Sequence, residues 1–185
     1  MTPHQIIAQA TDELAGVAAR IDADEIARAA ELIASAGHVM LYGCGREGLQ
    51  MQGLAMRLHH LGLNVSMQGD MAAPPLGPKD LFVASAGPGE LSTVTALVGQ
   101  ARAAGAKVLI LTAQPSSATP RLADLTLTIP AQTMTGDRQL ATSLLPLGSL
   151  FEGALFVLFE ALILNLIERL KVTPESLSAR HTNME

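Results

Sequence analysis

The stretch Leu41-Tyr42-Gly43-Cys44-Gly45-Arg46-Glu47-Gly48 decides how the rest of the chain is arranged. The apolar run His38–Tyr42 has the composition of a buried β-strand, and it ends in a glycine-rich turn. A helical pattern begins at Arg46. Glycines let a backbone turn sharply and approach a ligand closely, and a helix N-terminus presents free N–H groups and the positive end of its dipole. The stretch therefore predicts a strand, a turn and a helix that form an anion site.

The glycine spacing also matches a dinucleotide-binding pattern. Gly43, Gly45 and Gly48 fit G-x-G-x-x-G, and Asp70 follows the second predicted strand, a little late and beside a proline-rich loop. A lone match of this kind has low specificity, and no second domain is predicted that could hold a hydride acceptor. A dinucleotide therefore stays one alternative for the anion that this site would bind. Glu47, however, places a negative charge inside the predicted anion site.

Strands and helices alternate through residues 37–130, the predicted sheet core. Continuous apolar strands in this alternation imply a parallel sheet that is covered on both faces. We therefore predict a three-layer α/β fold with a five-stranded, flavodoxin-like parallel sheet. The predicted strands are His38–Tyr42, Asn64–Met67, Leu81–Ala84, Lys107–Leu111 and Leu125–Ile129, and the helices between them are Arg46–Leu61, Leu91–Ala104 and a short one near Thr119–Ala123.

Extra helices are predicted before the sheet, in residues 1–36. Thr2-Pro3 has the pattern of an N-cap followed by a first-turn proline. Asp22, with Glu25 three residues later, resembles a capping box that begins a second helix. With the helices after the sheet, we expect residues 1–185 to form a single domain.

Two further helices are predicted in residues 150–185, as interface and site helices. Leu150–Lys171 is apolar nearly all round, so we expect burial on most sides and packing in a subunit interface. Its polar residues argue against a membrane span. Thr173-Pro174-Glu175 begins a last helix, which is predicted to run to Glu185. The polar residues of the apolar helix are Glu152, Glu160, Asn165 and Glu168.

Composition narrows the class of protein. Of 185 residues, 49% are hydrophobic and 16% charged, and the formal net charge is −5. The acidic balance argues against nucleic acid as a partner, and the apolar content indicates surface buried in an oligomer. The single cysteine, Cys44, and the lack of a signal-peptide pattern lead us to expect a cytoplasmic protein. His59 and His60 face different directions on a helix, so no metal site is expected there.

The loops after the first and third predicted strands should face one ligand site. Ligands of open α/β sheets bind beyond the carboxyl ends of the strands, at the switch point of the strand order. Both loops carry glycines and open a helix, so their N–H groups can surround one anion; two ordinary tight turns are the alternative. The predicted ligand-binding residues are Gly43, Gly45, Arg46 and Glu47 around the first loop, and Ser85, Gly87, Gly89, Ser92 and Thr93 around the second.

Four sequence motifs resemble those of a known protein family. They are Tyr42-Gly43-Cys44-Gly45-Arg46, Met56-Arg57-Leu58-His59-His60-Leu61-Gly62-Leu63-Asn64-Val65, Pro146-Leu147-Gly148-Ser149-Leu150-Phe151-Glu152 and Ala179-Arg180-His181. Together they resemble a sugar isomerase (SIS) domain, and within that family the 6-phospho-3-hexuloisomerases, over nearly the whole chain. The resemblance implies a flavodoxin-like sheet, a homotetramer, no cofactor, and isomerisation of D-arabino-3-hexulose 6-phosphate to fructose 6-phosphate.

The resemblance assigns the catalytic roles to Glu152 and His181. A carboxylate in apolar surroundings has a raised pKa and can serve as the base that forms an enediol. An imidazole can shuttle the hydroxyl proton or help to open the sugar ring. From the residues alone, Glu152 could equally favour its helix N-terminus, and His181 could be an ordinary surface histidine. In the family, the terminal helix tends to complete a neighbouring subunit's site.

Both loops depart from the family pattern in ways that weaken a phosphate site. Glu47 stands where the family usually has a serine, and Ala86-Gly87-Pro88-Gly89-Glu90-Leu91 replaces Ser-Gly-Ser-Gly-Glu-Thr. Three hydroxyls are lost, and Pro88 also lacks an N–H. Glu47 either repels a phosphate or points to solvent and stabilises its helix. Two alternatives therefore stay open: a non-catalytic SIS-type carbohydrate-derivative-binding or regulatory module, and an isomerase of a different sugar.

Overall fold

A sheet of five parallel strands forms the centre of the computed structural model, which describes residues 1–134 and 142–184. The strands are β1 (Val39–Gly43), β2 (Val65–Met67), β3 (Leu81–Ser85), β4 (Lys107–Thr112) and β5 (Leu125–Thr128). Their order across the sheet is β2-β1-β3-β4-β5, which is the flavodoxin-like order. The predicted fold class is confirmed, and each predicted strand end lies within one residue of the observed one.

Helices cover the sheet on both faces. In the described residues they are α1 (Pro3–Ala18), α2 (Ala23–Ser35), α3 (Gly45–His60), α4 (Ser92–Ala103), α5 (Ser149–Leu170) and α6 (Pro174–Ser178), with a 3-10 turn at Pro120–Leu122. Along β3, Leu81 and Val83 belong to the core that contains α1, α2, α3 and α5, whereas Phe82 and Ala84 face α4. Every residue of β3 is buried, as expected for a parallel strand covered on both faces.

The helix ends agree with the sequence at two places and differ at a third. Thr2 caps α1 in a capping box with Gln5, and Thr173 caps α6. The capping box predicted at α2 is wrong. Asp22 accepts the Asp24 N–H at 2.8 Å, but the Glu25 carboxylate instead accepts the N–H of Thr128 in β5 at 2.7 Å. Glu25 thereby satisfies an N–H group of an edge strand.

The last helix is shorter than predicted. It ends at Ser178 and does not continue through His181. The Arg180 guanidinium donates to the carbonyl oxygens of His60, at 3.3 Å, and Ser176, at 3.1 Å. The chain after α6 is thus fastened to the C-terminal end of α3.

A single chain leaves α5 partly uncovered. It packs against α1, α2 and α3, yet Phe156 is 60% and Leu164 66% exposed. By length and composition alone α5 could cross a membrane, but half of its most apolar stretch is buried within the protein. The subunit interface predicted at this helix stays a prediction. The large exposed apolar side chains of this region are Phe156, Val157 and Leu164 of α5 and Leu49 and Met56 of the neighbouring α3.

Candidate functional site

The two glycine-bearing loops lie side by side at the carboxyl edge of the sheet. Gly43, at the end of β1, is in register with Ser85, at the end of β3. The β1–α3 turn and the β3–α4 loop therefore leave the sheet as neighbours, at the point where the strand order reverses direction.

The glycines of the β1–α3 turn have structural reasons to be glycines. A Cβ on Gly48 would lie 2.6 Å from the Gly43 carbonyl oxygen, and one on Gly43 would lie 2.9 Å from the Gly48 nitrogen. These two residues thus let α3 pack directly onto the end of β1. Gly45 has φ +57°, a left-handed conformation that glycine adopts without strain. The G-x-G-x-x-G match has an explanation that needs no dinucleotide, and the Asp70 carboxylate closes its own turn by accepting the Met67 N–H at 2.8 Å.

A cavity of about 350 Å³ opens between this turn and the start of α5. Pockets for small ligands have volumes of roughly 300 Å³ and above. The charged side chains among the described residues that line it are Arg46, Glu47 and Glu152. Most of the remaining wall is apolar, and it includes Leu147, Phe151, Pro88, Leu91 and Met134.

Glu47 points into the protein. Its Oε2 accepts the Ser85 hydroxyl at 2.5 Å and the Gly87 N–H at 3.0 Å. Burial raises the pKa of this carboxyl, and the two hydrogen bonds partly oppose that rise. The interpretation in which Glu47 points to solvent is therefore wrong. The carboxylate occupies the donors that the sequence pattern assigned to an external anion.

Arg46 links the first turn of α3 to the beginning of α5. Its Nε lies 3.0 Å from Glu152 Oε2, while its terminal nitrogens donate to the Leu147 carbonyl at 2.6 Å and the Ser149 hydroxyl at 3.0 Å. Burial raises the pKa of Glu152, the Arg46 charge lowers it and the Glu47 charge raises it. Glu152 is 16% exposed, so it is a shielded carboxylate that still borders the cavity.

Two consecutive left-handed residues set the direction of α5. Leu147 has φ 54° and Gly148 φ 82°, and α5 begins at the next residue. A left-handed non-glycine residue costs about 1–2 kcal/mol, and the Arg46 bond to the Leu147 carbonyl helps to hold this turn. The first turn of α5 then places Phe151 and Glu152 in the cavity wall.

The other predicted ligand-binding residues are placed away from the cavity wall. Ser85 and Gly87 face the Glu47 carboxylate. A Cβ on Gly89, where φ is +89°, would lie 2.4 Å from the Ser117 hydroxyl oxygen, so this glycine packs against the loop after β4. Ser92 and Thr93 are exposed on α4. Gly45, Arg46 and Glu47 are the predicted ligand-binding residues that line the cavity.

Several residues of the cavity wall were not among the site residues predicted from the sequence. Phe151 was part of a long apolar run, in which the positions facing a cavity cannot be separated from those facing a core. Thr133 and Met134 follow β5, and the carboxyl end of that strand was a detectable signal. Leu147 is distinguished by its backbone conformation rather than by its residue type.

His181 lies at the other end of α3 from Glu152 of the same chain. Its ring stacks on His60, with ring centroids 5.3 Å apart. Glu47 and His60 are on the order of 20 Å apart along α3, at ~1.5 Å of rise per residue. The structure of one chain therefore brings Glu47, Arg46 and Glu152 together but not His181. Within the described ranges, no group of three or more His, Cys, Asp or Glu side chains could hold a metal ion.

Comparisons with known proteins agree on the family. The SIS domain family model matches residues 32–158. The chain is 38% identical over 174 residues to 3-hexulose-6-phosphate isomerase of Mycobacterium gastri, covering 94% of this chain and 87% of that protein. It is 31% identical to 3-hexulose-6-phosphate isomerase of Bacillus subtilis over 185 residues, the full length of both. A crystal structure from Methanococcus jannaschii, from which a molecular function of 3-hexulose-6-phosphate isomerase was inferred, superposes with a TM-score of 0.84 at 20% identity, covering 97% of this chain and 98% of that one.

Proposed function

Because the chain belongs to the SIS domain family, we propose that it is a sugar isomerase whose active site is the cavity beside Glu152. The observation that carries this proposal is the shielded Glu152 carboxylate, which lines the cavity and is paired with Arg46 at 3.0 Å. The names of the relatives supply the first reaction to test, the conversion of 3-hexulose 6-phosphate to fructose 6-phosphate.

We assign the proton transfer at carbon to Glu152. In this reaction the carbonyl moves from C3 to C2. Glu152 takes the proton from C2 and leaves an enediolate. The hydroxyl proton then passes from O2 to O3, and a proton is returned to C3. Burial raises the pKa of Glu152, which strengthens the carboxylate as a base, and Arg46 favours its ionised form.

The Glu152→Gln variant tests this assignment. General bases contribute roughly 10²–10⁴-fold to a rate, so we expect kcat to fall by about that factor with little change in stability. Glu160→Gln is the matched control. Glu160 lies on the same helix, but it pairs with Arg57 at 2.9 Å and does not line the cavity. An unchanged rate in Glu152→Gln would remove Glu152 from the mechanism. Thermal stabilisation by sugar phosphates without turnover would favour the non-catalytic binding or regulatory module.

We further propose that His181 serves the cavity of a neighbouring subunit in a homotetramer. The support is geometric: His181 is far from Glu152 of its own chain, while α5 exposes an apolar face at Phe156 and Leu164. Glu152→Gln and His181→Ala subunits, each inactive alone, should regain part of the wild-type activity when unfolded and reassembled together. Mixtures as inactive as either variant, with assembly intact, would contradict the shared site.

A specific observation favours an isomerase of a different sugar as the second candidate. The donors at the β3–α4 loop already hold the Glu47 carboxylate. The identity of the sugar therefore depends on which substrate group can bind beside the Glu47 carboxylate.

A further inference from the structure

We propose that Glu47 is a specificity-determining residue that makes the cavity select a sugar whose end near α3 is an uncharged hydroxyl rather than a phosphate dianion. The inference rests on the proposed function, because it names the class of sugar that the same active site accepts. Three features of the described residues support it: the occupied donors, the charge of the cavity wall and the space around Gly87.

The donors that an external anion would need are already occupied. Ser85 Oγ is 2.5 Å and the Gly87 nitrogen 3.0 Å from the same oxygen, Oε2 of Glu47. Ser85 is completely buried. A carboxylate attached to the chain competes with a free anion at a high effective concentration. Glu47 therefore acts as an internal acceptor in the place that a phosphate would take.

The cavity wall carries the wrong charge for a phosphate. Among its described residues, Arg46 is the cation that faces the two carboxylates of Glu47 and Glu152. Arg46 is also already engaged, since it contacts Glu152, the Leu147 carbonyl and the Ser149 hydroxyl. With both carboxylates ionised, a phosphate dianion would meet a wall with net negative charge, and its approach would be unfavourable.

The β3–α4 loop offers neither compensating donors nor space. Ala86 and Leu91 have no polar side-chain atom, and Pro88 has no N–H. A Cβ on Gly87 would lie 2.8 Å from Glu47 Oε1 and 2.9 Å from the Phe151 ring, so the volume beside the Gly87 N–H is filled. Both hydrogen bonds to Glu47 use Oε2, which leaves Oε1 to accept from a sugar hydroxyl, a donor that a phosphate dianion lacks.

Titration with inorganic phosphate tests the proposal without relying on turnover. Glu47→Ser removes the competing carboxylate and supplies a hydroxyl, so its affinity for phosphate should exceed that of the wild type by about tenfold to hundredfold, the value of one charge-assisted hydrogen bond. Glu90→Ser is the matched control, because Glu90 is an exposed carboxylate of the neighbouring β3–α4 loop, and this variant should bind phosphate as the wild type does. Equal affinity in wild type and Glu47→Ser, or an equal gain in Glu90→Ser, would overturn the proposal.

A second measurement compares two substrates. The wild type should have a higher kcat/KM for unphosphorylated 3-hexulose than for 3-hexulose 6-phosphate, and Glu47→Ser should shift the ratio towards the phosphorylated sugar at least about tenfold, mainly through KM. A wild type that prefers the phosphorylated sugar would overturn the proposal. If neither sugar is converted by either protein, the isomerase itself is contradicted, and the phosphate titration still decides the role of Glu47.

Discussion

The cavity contains two carboxylates, Glu47 and Glu152, that differ in what holds them. Neutral donors, the Ser85 hydroxyl and the Gly87 N–H, bind Glu47, whereas the Arg46 guanidinium binds Glu152. Burial raises the pKa of both groups, but only for Glu152 does a positive charge oppose the rise. Glu47 accepts hydrogen bonds from buried backbone and hydroxyl donors, so it supports the β3–α4 loop. Glu152 is paired with a cation at the cavity wall, so it keeps an ionised form that can take a proton. The partners, rather than the residue type, separate the two roles.

Removing the wall that both carboxylates share should have the largest effect. Phe151 is 1% exposed, and Phe→Ala changes in a core cost about 3–5 kcal/mol, so Phe151→Ala should lower the free energy of unfolding by that amount in urea denaturation. Phe156→Ala on the same helix removes an exposed ring instead. If α5 packs in a subunit interface, as predicted, any stability lost in that variant should depend on protein concentration, because it would come from contacts between subunits. Equal, concentration-independent losses in both variants would contradict this distinction.

Removing the internal acceptor should have an intermediate effect. Glu47→Ala leaves the Ser85 hydroxyl and the Gly87 N–H without their acceptor, and an unsatisfied buried donor costs about 1–3 kcal/mol. Glu47→Gln keeps an acceptor oxygen, so chemical denaturation should rank its stability between those of the wild type and Glu47→Ala. If the Ala variant is as stable as the Gln variant, the carboxylate does not support the loop.

Changing the charges around Glu152 should move its titration in opposite directions. The Arg46 charge lowers the pKa of Glu152 and the Glu47 charge raises it. If Glu152 must be ionised to act as the base, the acidic limb of kcat/KM against pH should shift to higher pH in Arg46→Met and to lower pH in Glu47→Gln. Arg46→Lys, which keeps the cation, should shift it less than Arg46→Met does. Shifts of the same sign in Arg46→Met and Glu47→Gln would contradict the opposite effects of these two charges on the pKa of Glu152.

The smallest expected effect is on stability as a function of pH. The pKa of Glu47 is raised in the folded protein above its ordinary value of 4.5. At a pH between the ordinary pKa and the raised pKa of Glu47, the folded protein binds more protons than the unfolded chain. Its stability therefore falls as the pH rises through that range. Glu47→Gln lacks this contribution. The stability of the variant relative to the wild type should therefore increase as the pH rises above 4.5. Thermal denaturation of both proteins across this range measures the difference, and parallel curves would contradict it.

The sheet was predictable from the sequence because its signals are local. Each strand is a short apolar run, and the alternation with helices is sufficient to predict parallel pairing. The two helix errors have tertiary causes. Glu25 leaves its expected cap for the Thr128 N–H of an edge strand, and the last helix ends early where Arg180 reaches the His60 carbonyl. Neither partner is close in sequence, so neither competition could be detected from a local pattern.

The site was predictable only in part. The glycine turn was predicted from its spacing and Arg46 from its positive charge beside the predicted anion site, while the role of Glu152 came from the family resemblance. The direction of Glu47 could not be predicted, because it depends on the left-handed turn at Gly45 and on how close the β3–α4 loop lies to it. Ser92 and Thr93 were expected at the ligand because they follow the loop, yet the first turn of α4 leaves both exposed.

The position of α5 in the chain has a consequence for how the protein is made. α5 packs against α1, α2 and α3 and belongs to the core on their side of the sheet, yet the ribosome synthesises it after all five strands. Until it emerges, the nascent sheet lacks a large part of the apolar cover on that face. Exposed apolar surface of this kind promotes aggregation and recruits chaperones. Any delay in the emergence of α5 (Ser149–Leu170) from the ribosome would prolong this vulnerable interval.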